Sequence, residues 1–138
     1  MDAGKIPRQA GGFPDGLITR TRGDDIGMDI DVKEVGKVTI VAPRGDVDMA
    51  VADDVRMRLT DLVDQGHARL VLDLGAVMYI DSSGLGALVA AMKHARAAGG
   101  DIKVCALETD VRALFEMTRL NKVLAVHANT QEAVAAWG

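Results

Sequence analysis

The sequence has one cysteine, few aromatic residues and no long apolar run. Because Cys105 is the only cysteine among 138 residues, the chain has no second thiol for an intramolecular disulfide and no set of thiolates for a zinc site. Cys105 lies in a predicted strand, and we interpret it as a small core residue. Aromatic residues make up 3% of the chain, so aliphatic side chains have to fill the core. The longest apolar run, residues 85–92, is much shorter than the roughly 20 residues of a membrane-spanning helix.

Positive charge is also not in excess. The 16 Lys and Arg residues are outnumbered by 20 Asp and Glu residues, which gives a net charge of -4. Nucleic-acid binding relies on a basic surface, so we expect no nucleic-acid partner. Lys5 and Arg8 are not followed by the apolar segment of a secretory signal. We therefore expect a cytoplasmic protein without direct membrane insertion, whose partners are other proteins.

The first 26 residues differ from the rest of the chain in composition. They contain five Gly, two of the three Pro residues and four charges of each sign, with no strand or helix periodicity. Such a segment cannot bury enough apolar surface to become ordered. We predict a flexible N-terminal tail over residues 1–26 and a single domain over residues 27–138.

From residue 27 onward, the apolar periodicity alternates between strands and helices. Met28, Ile30 and Val32 alternate with charged residues, and a second strand follows the turn at Gly36. Asp48 stands where a helix N-cap is expected. The predicted order is β-β-α-β-α-β-α-β-α, with later strands at residues 70–74, 102–106 and 123–126 and helices that begin near residues 48, 82, 109 and 130. This order predicts an α/β fold with helices packed against a mixed, mostly parallel sheet.

Familiar catalytic and cofactor-binding patterns are missing. His67, His94 and His127 have no partner at metal-ligand spacing, and we interpret them as surface residues. A nucleophile elbow requires Gly two positions before Ser82, where Ile80 stands. The Gly-rich phosphate loops of nucleotide-binding proteins are missing as well. We predict a protein that is not an enzyme and has no cofactor and no metal.

The cluster Asp81-Ser82-Ser83 lies where an apolar stretch meets the start of a helix. Asp81 or Ser82 could accept a hydrogen bond from a free N–H group of the first turn, and capping requires only one such residue. A phosphoryl group at this place would be held by the same N–H groups. Gly84 and Gly86 keep the first turn small, so that a macromolecule can approach both hydroxyls. From the residues alone, capping and phosphate acceptance both stay open.

Two stretches resemble the STAS domain of bacterial anti-sigma factor antagonists. Residues 77–126, VMYIDSSGLGALVAAMKHARAAGGDIKVCALETDVRALFEMTRLNKVLAV, contain an Asp-Ser-Ser-Gly-Leu-Gly run that is similar to the phosphorylation motif of that family. Residues 44–59, RGDVDMAVADDVRMRL, resemble its Gly-Glu-Leu-Asp loop, with Asp46 in place of Glu and Val47 in place of Leu. The resemblance covers residues 27–137 and includes the element order.

This resemblance implies a phosphorylation switch. Ser82, the first Ser after the Asp, would accept phosphate from a GHKL-type serine kinase that doubles as an anti-sigma factor. The unmodified protein would bind that kinase and free a sigma factor, phosphorylation would weaken this binding, and a PP2C-type phosphatase would restore the unmodified form. The added charge would weaken binding by repulsion and desolvation. The implied partner-binding residues are Gly45, Asp46, Asp48, Asp81, Ser82, Ser83, Gly84 and Gly86.

The resemblance leaves an alternative and contains two departures. In the alternative, the chain is a STAS subunit that binds protein in a membrane transport complex without being phosphorylated. Where the family often has Thr/Ser-Gly-Leu, Thr118 and Leu120 flank Arg119, and we expect Asn121 to take part in that turn. The helix after Asp48 opens without the hydroxyl residue often found there, which implies different partner contacts. Exposed Met49 and Met57 would suit a partner surface, and core placement fits them equally well.

Overall fold

The computed structural model describes residues 17–21 and 28–137. In this part of the chain, six strands form one sheet, accompanied by four α-helices and a short 3-10 helix. The strands are β1 (Leu17–Thr21), β2 (Asp29–Val35), β3 (Val38–Arg44), β4 (Arg69–Asp73), β5 (Asp101–Cys105) and β6 (Ala125–His127). The α-helices are α1 (Ala52–Asp64), α2 (Ser82–Ala97), α3 (Thr109–Met117) and α4 (Thr130–Ala135), and the 3-10 helix is Leu120–Lys122.

The strands lie in the sheet in the order of the sequence. Strands β1, β2 and β3 pair antiparallel, whereas β3, β4, β5 and β6 pair parallel. Gly36 forms the tight turn between β2 and β3 with a φ of 62°, a conformation that glycine adopts without steric penalty. Because β3 and β4 are parallel, the loops that follow Arg44 and Asp73 leave the same end of the sheet. This end carries the candidate site.

The larger core lies between the sheet and helices α1, α2 and α3. Val32, Leu70 and Leu72 are fully buried there, together with Leu59 of α1 and Phe115 of α3. The other face of the sheet carries a smaller apolar cluster, which α4 and Trp137 cover. Its buried members are Val38, Ile40, Val71, Cys105 and Ala133.

The predicted α/β class and the predicted element order are confirmed, but β1 lies inside the segment predicted to be a flexible tail. It pairs with β2 through Thr19 opposite Val32 and Thr21 opposite Ile30. This pairing uses backbone groups, which leave no mark in the side-chain pattern. The prediction is therefore corrected for residues 17–21, whereas residues 1–16 and 22–26 of the predicted tail lie outside the described residues. A domain boundary at residue 27 stays a prediction.

Asp48 is not the N-cap of α1, contrary to the sequence prediction. Its Oδ1 accepts a hydrogen bond from the N–H of Ala50 at 3.0 Å, and its carbonyl accepts from the N–H groups of Val51 and Ala52. These bonds make a turn ahead of the helix, which has no side-chain cap. The helix starts late because residues 47–49 are held by the chain after β4, a tertiary contact that local propensity does not report.

The last strand also begins later than predicted. Val123 belongs to the turn after the 3-10 helix, since its N–H donates to the carbonyl of Leu120 at 3.0 Å, and it is exposed. β6 begins at Ala125 instead.

Cys105 is a core residue, as predicted. Its side chain is completely buried in the smaller cluster. Burial raises the pKa of the thiol to about 12, and the negative charge of Asp73 acts in the same direction. A thiol that stays protonated in this way is a poor nucleophile.

Candidate functional site

Asp81 caps helix α2 and leaves both serine hydroxyls uncommitted. Its backbone is extended, and its Oδ1 accepts a hydrogen bond from the N–H of Gly84 at 2.9 Å. The sequence left capping and phosphate acceptance open for this cluster, and the hydrogen bond to Gly84 shows that Asp81 performs the capping. Ser82 and Ser83 are the first two residues of the helix and are exposed. Neither hydroxyl forms a hydrogen bond to any residue in the described part of the chain.

The same carboxylate also holds the loop between β3 and α1. The Oδ2 of Asp81 accepts a hydrogen bond from the N–H of Met49 at 3.0 Å. Val47 lies beside Ile80 as a single parallel bridge, in which its N–H donates to the carbonyl of Tyr79 at 2.9 Å. The N–H of Gly45 donates to the carbonyl of Ala76 at 3.1 Å. The loop that begins at Gly45 is therefore joined at several points to the chain that leads into α2.

Gly84 has a packing role that differs from the predicted one. It is buried, and a Cβ at this position would overlap the carbonyl oxygen of Val47 and lie 2.7 Å from Cγ2 of Ile80. Its missing side chain thus lets the β3–α1 loop pack against α2, and the prediction that it clears space for a partner is wrong. Gly86 is different, because it is exposed and a Cβ there would meet nothing within 4 Å.

The two serines open onto different surfaces. Ser83 lines a groove of about 350 Å³ between α1 and α2, here called the α1–α2 groove. Ser82 lines a groove of about 480 Å³ between residues 78–85 and α3, here called the α3 groove. The α1–α2 groove is lined by Met49, Ala52, Asp53, Arg56, Ser83, Gly86 and Ala87. The α3 groove is lined by Met78, Tyr79, Ile80, Asp81, Ser82, Leu85, Asp110, Val111, Leu114 and Thr118.

Charge is distributed unevenly between the two grooves. Among the described residues that line them, Arg56 is the only Lys or Arg, and it lies in the α1–α2 groove 3.7 Å from Asp53. The α3 groove carries Asp81 and Asp110 and no cation in its described lining. Ser82 thus opens onto an apolar surface with acidic groups, whereas Ser83 opens onto a surface of mixed charge.

The structure brings some of the predicted partner-binding residues together and separates others. Asp81, Ser82, Ser83 and Gly86 surround the exposed start of α2. The exposed Asp46 lies in the joined loop and lines neither groove. Of the two methionines, Met49 lines the α1–α2 groove and is 78% exposed, whereas Met57 is exposed on α1 outside both grooves. Gly45 and Asp48 lie in the β3–α1 loop, where Gly45 is exposed and Asp48 is partly buried, whereas Gly84 is buried in α2 beneath that loop.

The α3 groove was not predicted from the sequence. Met78 and Tyr79 belong to the apolar stretch that precedes Asp81 in the sequence, yet both are more than half exposed. Strand β4 ends at Asp73, and a turn begins at Gly75. The N–H of Gly75 donates a hydrogen bond to the Asp73 carboxylate at 2.9 Å. The glycine after the acidic strand end is the signal that could have separated these exposed residues from the strand.

The turn after α3 contains a residue in the left-handed conformation that is not a glycine. Arg119 has a φ of 64°, and the hydroxyl of Thr118 donates to the carbonyl of Leu114 at 2.8 Å. Asn121 lies in the 3-10 helix that directly follows, so the left-handed position of the turn belongs to Arg119 and not to Asn121. The chain therefore holds a strained arginine beside Thr118, which lines the α3 groove.

The histidines lie away from both grooves. His94 Nε2 is 2.7 Å from Asp64 Oδ1, which connects the ends of α2 and α1. His67 Nδ1 is 3.3 Å from both the Thr39 hydroxyl and a Glu34 carboxylate oxygen. Within residues 17–21 and 28–137, no group of three or more His, Cys, Asp or Glu side chains could hold a metal ion. In the same ranges, every helix is too short or too polar to cross a membrane.

Comparison with known proteins identifies relatives of the chain. BtrV of Bordetella bronchiseptica is 34% identical over 109 residues, which cover 79% of this chain and 93% of that protein. The anti-sigma-B factor antagonist of Bacillus subtilis is 32% identical over 107 residues, or 78% of this chain and 97% of that protein. The structure of Bacillus SpoIIAA in its phosphorylated form has a TM-score of 0.62 at 18% identity, covers 79% of this chain and 99% of that one, and shows the common fold.

A family model for the STAS domain matches residues 29–133. The match includes the β3–α1 loop, the capped start of α2 and α3. The chain belongs to the STAS domain family, among the anti-sigma factor antagonists.

Proposed function

We propose that this protein is an anti-sigma factor antagonist that is switched by phosphorylation of Ser82. The observation that carries the proposal is the exposed Ser82 hydroxyl, which forms no hydrogen bond to a described residue although it stands at a helix start. Asp81 already performs the capping, so the hydroxyl is not needed for the fold. The anti-sigma-B factor antagonist of Bacillus subtilis and the phosphorylated form of SpoIIAA support the same role.

In the phosphoryl transfer, the Oγ of Ser82 attacks the γ-phosphorus of ATP bound to the kinase. The new Oγ–P bond forms as the bond between the γ-phosphorus and the bridging oxygen breaks, and ADP leaves. The two oxygens of Asp81 already accept hydrogen bonds from Gly84 and Met49, and we assign the base to the kinase rather than to this carboxylate. The proton of the hydroxyl therefore passes to a group of the kinase.

The modified protein keeps its fold and loses its partner surface. A phosphoserine adds about -1.5 to -2 charges at neutral pH, on an exposed residue that no core contact constrains. A kinase surface that had packed over the serine would have to desolvate this charge, which is unfavourable. The complex with the kinase and anti-sigma factor then dissociates, and a PP2C-type phosphatase regenerates the binding form.

The proposal is tested by incubating the protein with ATP and each GHKL-type serine kinase from the same genome, followed by mass spectrometry. We expect one phosphoryl group on Ser82, absent from Ser82→Ala and still present in Ser83→Ala, whose hydroxyl lines the other groove. Ser82→Ala should bind the kinase, and Ser82→Asp should bind it weakly while unfolding within about 1 kcal/mol of the wild type. Phosphate on Ser83 or Thr109, or equal binding by the wild type, Ser82→Ala and Ser82→Asp, would contradict the proposal.

A further inference from the structure

Basic side chains lie across the face of the sheet that carries the smaller apolar cluster. Ile40 and Val71 are buried members of that cluster and lie in register with each other. Lys33 of β2 lies in register with Ile40. Lys103 of β5 lies in register with Val71, and Arg69 precedes Val71 by two residues on β4. Because residues in register, and residues two apart on one strand, point to the same face of a sheet, all three cations belong to this face.

The three cations have no carboxylate partner in the part of the chain that the structure describes. Two of them are exposed and one is partly buried. Asp101, which lies in register with Arg69, is engaged by Arg96 at 2.8 Å instead. Asp31 of β2 is engaged by Arg44 at 2.9 Å. This face therefore offers three positive charges to an anion from another molecule.

The ring of Trp137 holds two of these cations in place. It packs against the smaller cluster and lies 4.6 Å from the Nζ of Lys103 and 5.8 Å from the Cζ of Arg69. Contact with an aromatic face restricts a long basic side chain, so that less conformational entropy is lost when an anion binds. Val35, two residues after Lys33 on the same face, is 39% exposed and adds apolar surface at the edge. Ordered cations beside apolar surface have the chemistry of an interaction site.

We propose that this basic patch, made of Lys33, Arg69, Lys103 and Trp137, binds an acidic protein segment with several Asp or Glu side chains close together. A guanidinium and an ammonium group beside one ring match carboxylates in charge and in hydrogen bonding. A protein segment fits the patch better than an anionic lipid surface does. Trp137 is partly buried and packed against the cluster, so it is not free to insert, and a negatively charged membrane repels a chain with a net charge of -4.

The basic patch and Ser82 lie on different sides of the sheet. Helices α1, α2 and α3 pack in the larger core, whereas the patch surrounds the smaller cluster on the other face. Ser82 is the first residue of α2. The inference therefore goes beyond the proposed function, since an acidic segment on the patch neither requires nor blocks phosphorylation of Ser82.

The chain contains its own reporter for this surface, because Trp137 is its only tryptophan. Hexaglutamate is titrated into the full chain at low salt, and the emission of Trp137 is followed. We expect a saturable change in emission that becomes weaker as salt is added, because counterions screen the charges. Hexaglutamine, a peptide of the same length without charge, should leave the emission unchanged.

A double variant, Arg69→Gln with Lys103→Gln, tests the assignment to these residues. It should raise the Kd for hexaglutamate by at least about tenfold, because both ordered cations are lost. The matched control, Lys93→Gln with Arg112→Gln, removes the same charge from exposed residues of α2 and α3. This control should keep the Kd of the wild type, and circular dichroism verifies that both double variants are folded.

Three results would overturn the proposal. The first is an emission that hexaglutamate leaves unchanged, and the second is a Kd that rises no more in the patch variant than in the control. The third is a response to vesicles of phosphatidylserine and phosphatidylcholine without one to hexaglutamate, which would assign the patch to a membrane surface. None of these measurements involves a kinase, so their outcome is separate from that of the proposed function.

Discussion

At the residue scale, the site depends on one carboxylate and one absent side chain. Asp81 accepts hydrogen bonds from Gly84 in its own helix and from Met49 in the preceding loop. Gly84 makes room for the carbonyl of Val47 in that loop. Together they fix the position of Ser82 without using its hydroxyl, which leaves the hydroxyl available for chemistry.

The two glycines of the first turn of α2 should respond in opposite ways to the same substitution. We expect Gly84→Ala to lower the free energy of unfolding by about 2 kcal/mol, because overpacking against the Val47 backbone outweighs the gain in helix propensity. Gly86→Ala should raise it by up to about 1 kcal/mol, since a Cβ there meets only open space. Urea unfolding of both variants measures the difference.

The variants Gly84→Ala and Gly86→Ala can also be compared in their binding to the kinase. Gly84→Ala should also weaken the kinase complex, because the displaced loop shifts the start of α2. Equal free energies of unfolding for the two variants would show that Gly84 has no packing role.

At the element scale, α3 and the turn after it form one wall of the α3 groove. Val111 and Phe115 anchor the helix in the core, while Asp110 and Leu114 line the groove. The helix ends at Met117, and the left-handed Arg119 reverses the chain into the 3-10 helix. Strain at a single residue thus defines where this wall ends.

Relief of that strain should stabilise the protein. We expect Arg119→Gly to raise the free energy of unfolding by about 0.5 kcal/mol, since the left-handed penalty of roughly 1 kcal/mol exceeds the entropy that Gly loses on folding. The control Arg112→Gly, at an exposed position within α3, should lower it by about 1 kcal/mol. Chemical denaturation measures both changes, and a similar loss in the two variants would contradict the account of the turn.

At the scale of the whole molecule, the sheet separates two apolar layers of unequal size. The larger layer holds α1, α2 and α3 against the face that supports the site. The smaller layer contains Cys105 beneath α4 and Trp137, whose ring lies 4.6 Å from the Nζ of Lys103 and 5.8 Å from the Cζ of Arg69. Both cations lie over the ring of Trp137. This ring covers the smaller layer and is distant from Ser82 in the sequence.

Global stability should fall at alkaline pH through Cys105. Its thiol pKa rises from 9.0 to about 12 on folding, chiefly because of burial. The unfolded chain therefore ionises first, and the stability that is fully present below pH 9 is lost as pH rises toward 12. We expect the free energy of unfolding to decline more steeply in the wild type than in Cys105→Ala over this window. Parallel declines in urea titrations at each pH would count against the assignment.

Much of the fold could be predicted because it follows from local patterns. The order of strands and helices from residue 28 onward appears in the apolar periodicity, and Asp81 and Asn129 cap their helices as side-chain oxygens do. The strand β1, the late start of α1 and the role of Gly84 could not be predicted in this way. Each depends on backbone groups or atoms of a segment distant in sequence.

For the site, the local sequence is enough to place Asp81, Ser82 and Ser83 at a helix start in a STAS domain, because a helix start is specified by neighbouring residues. The packing of the folded chain places Ser82 and Ser83 on different grooves. The same packing brings the N–H of Met49 to the carboxylate of Asp81 and leaves Tyr79 exposed. These properties arise where the loop after β3, the start of α2 and α3 meet, and the packing of three separate segments is not encoded in the residues of any one of them.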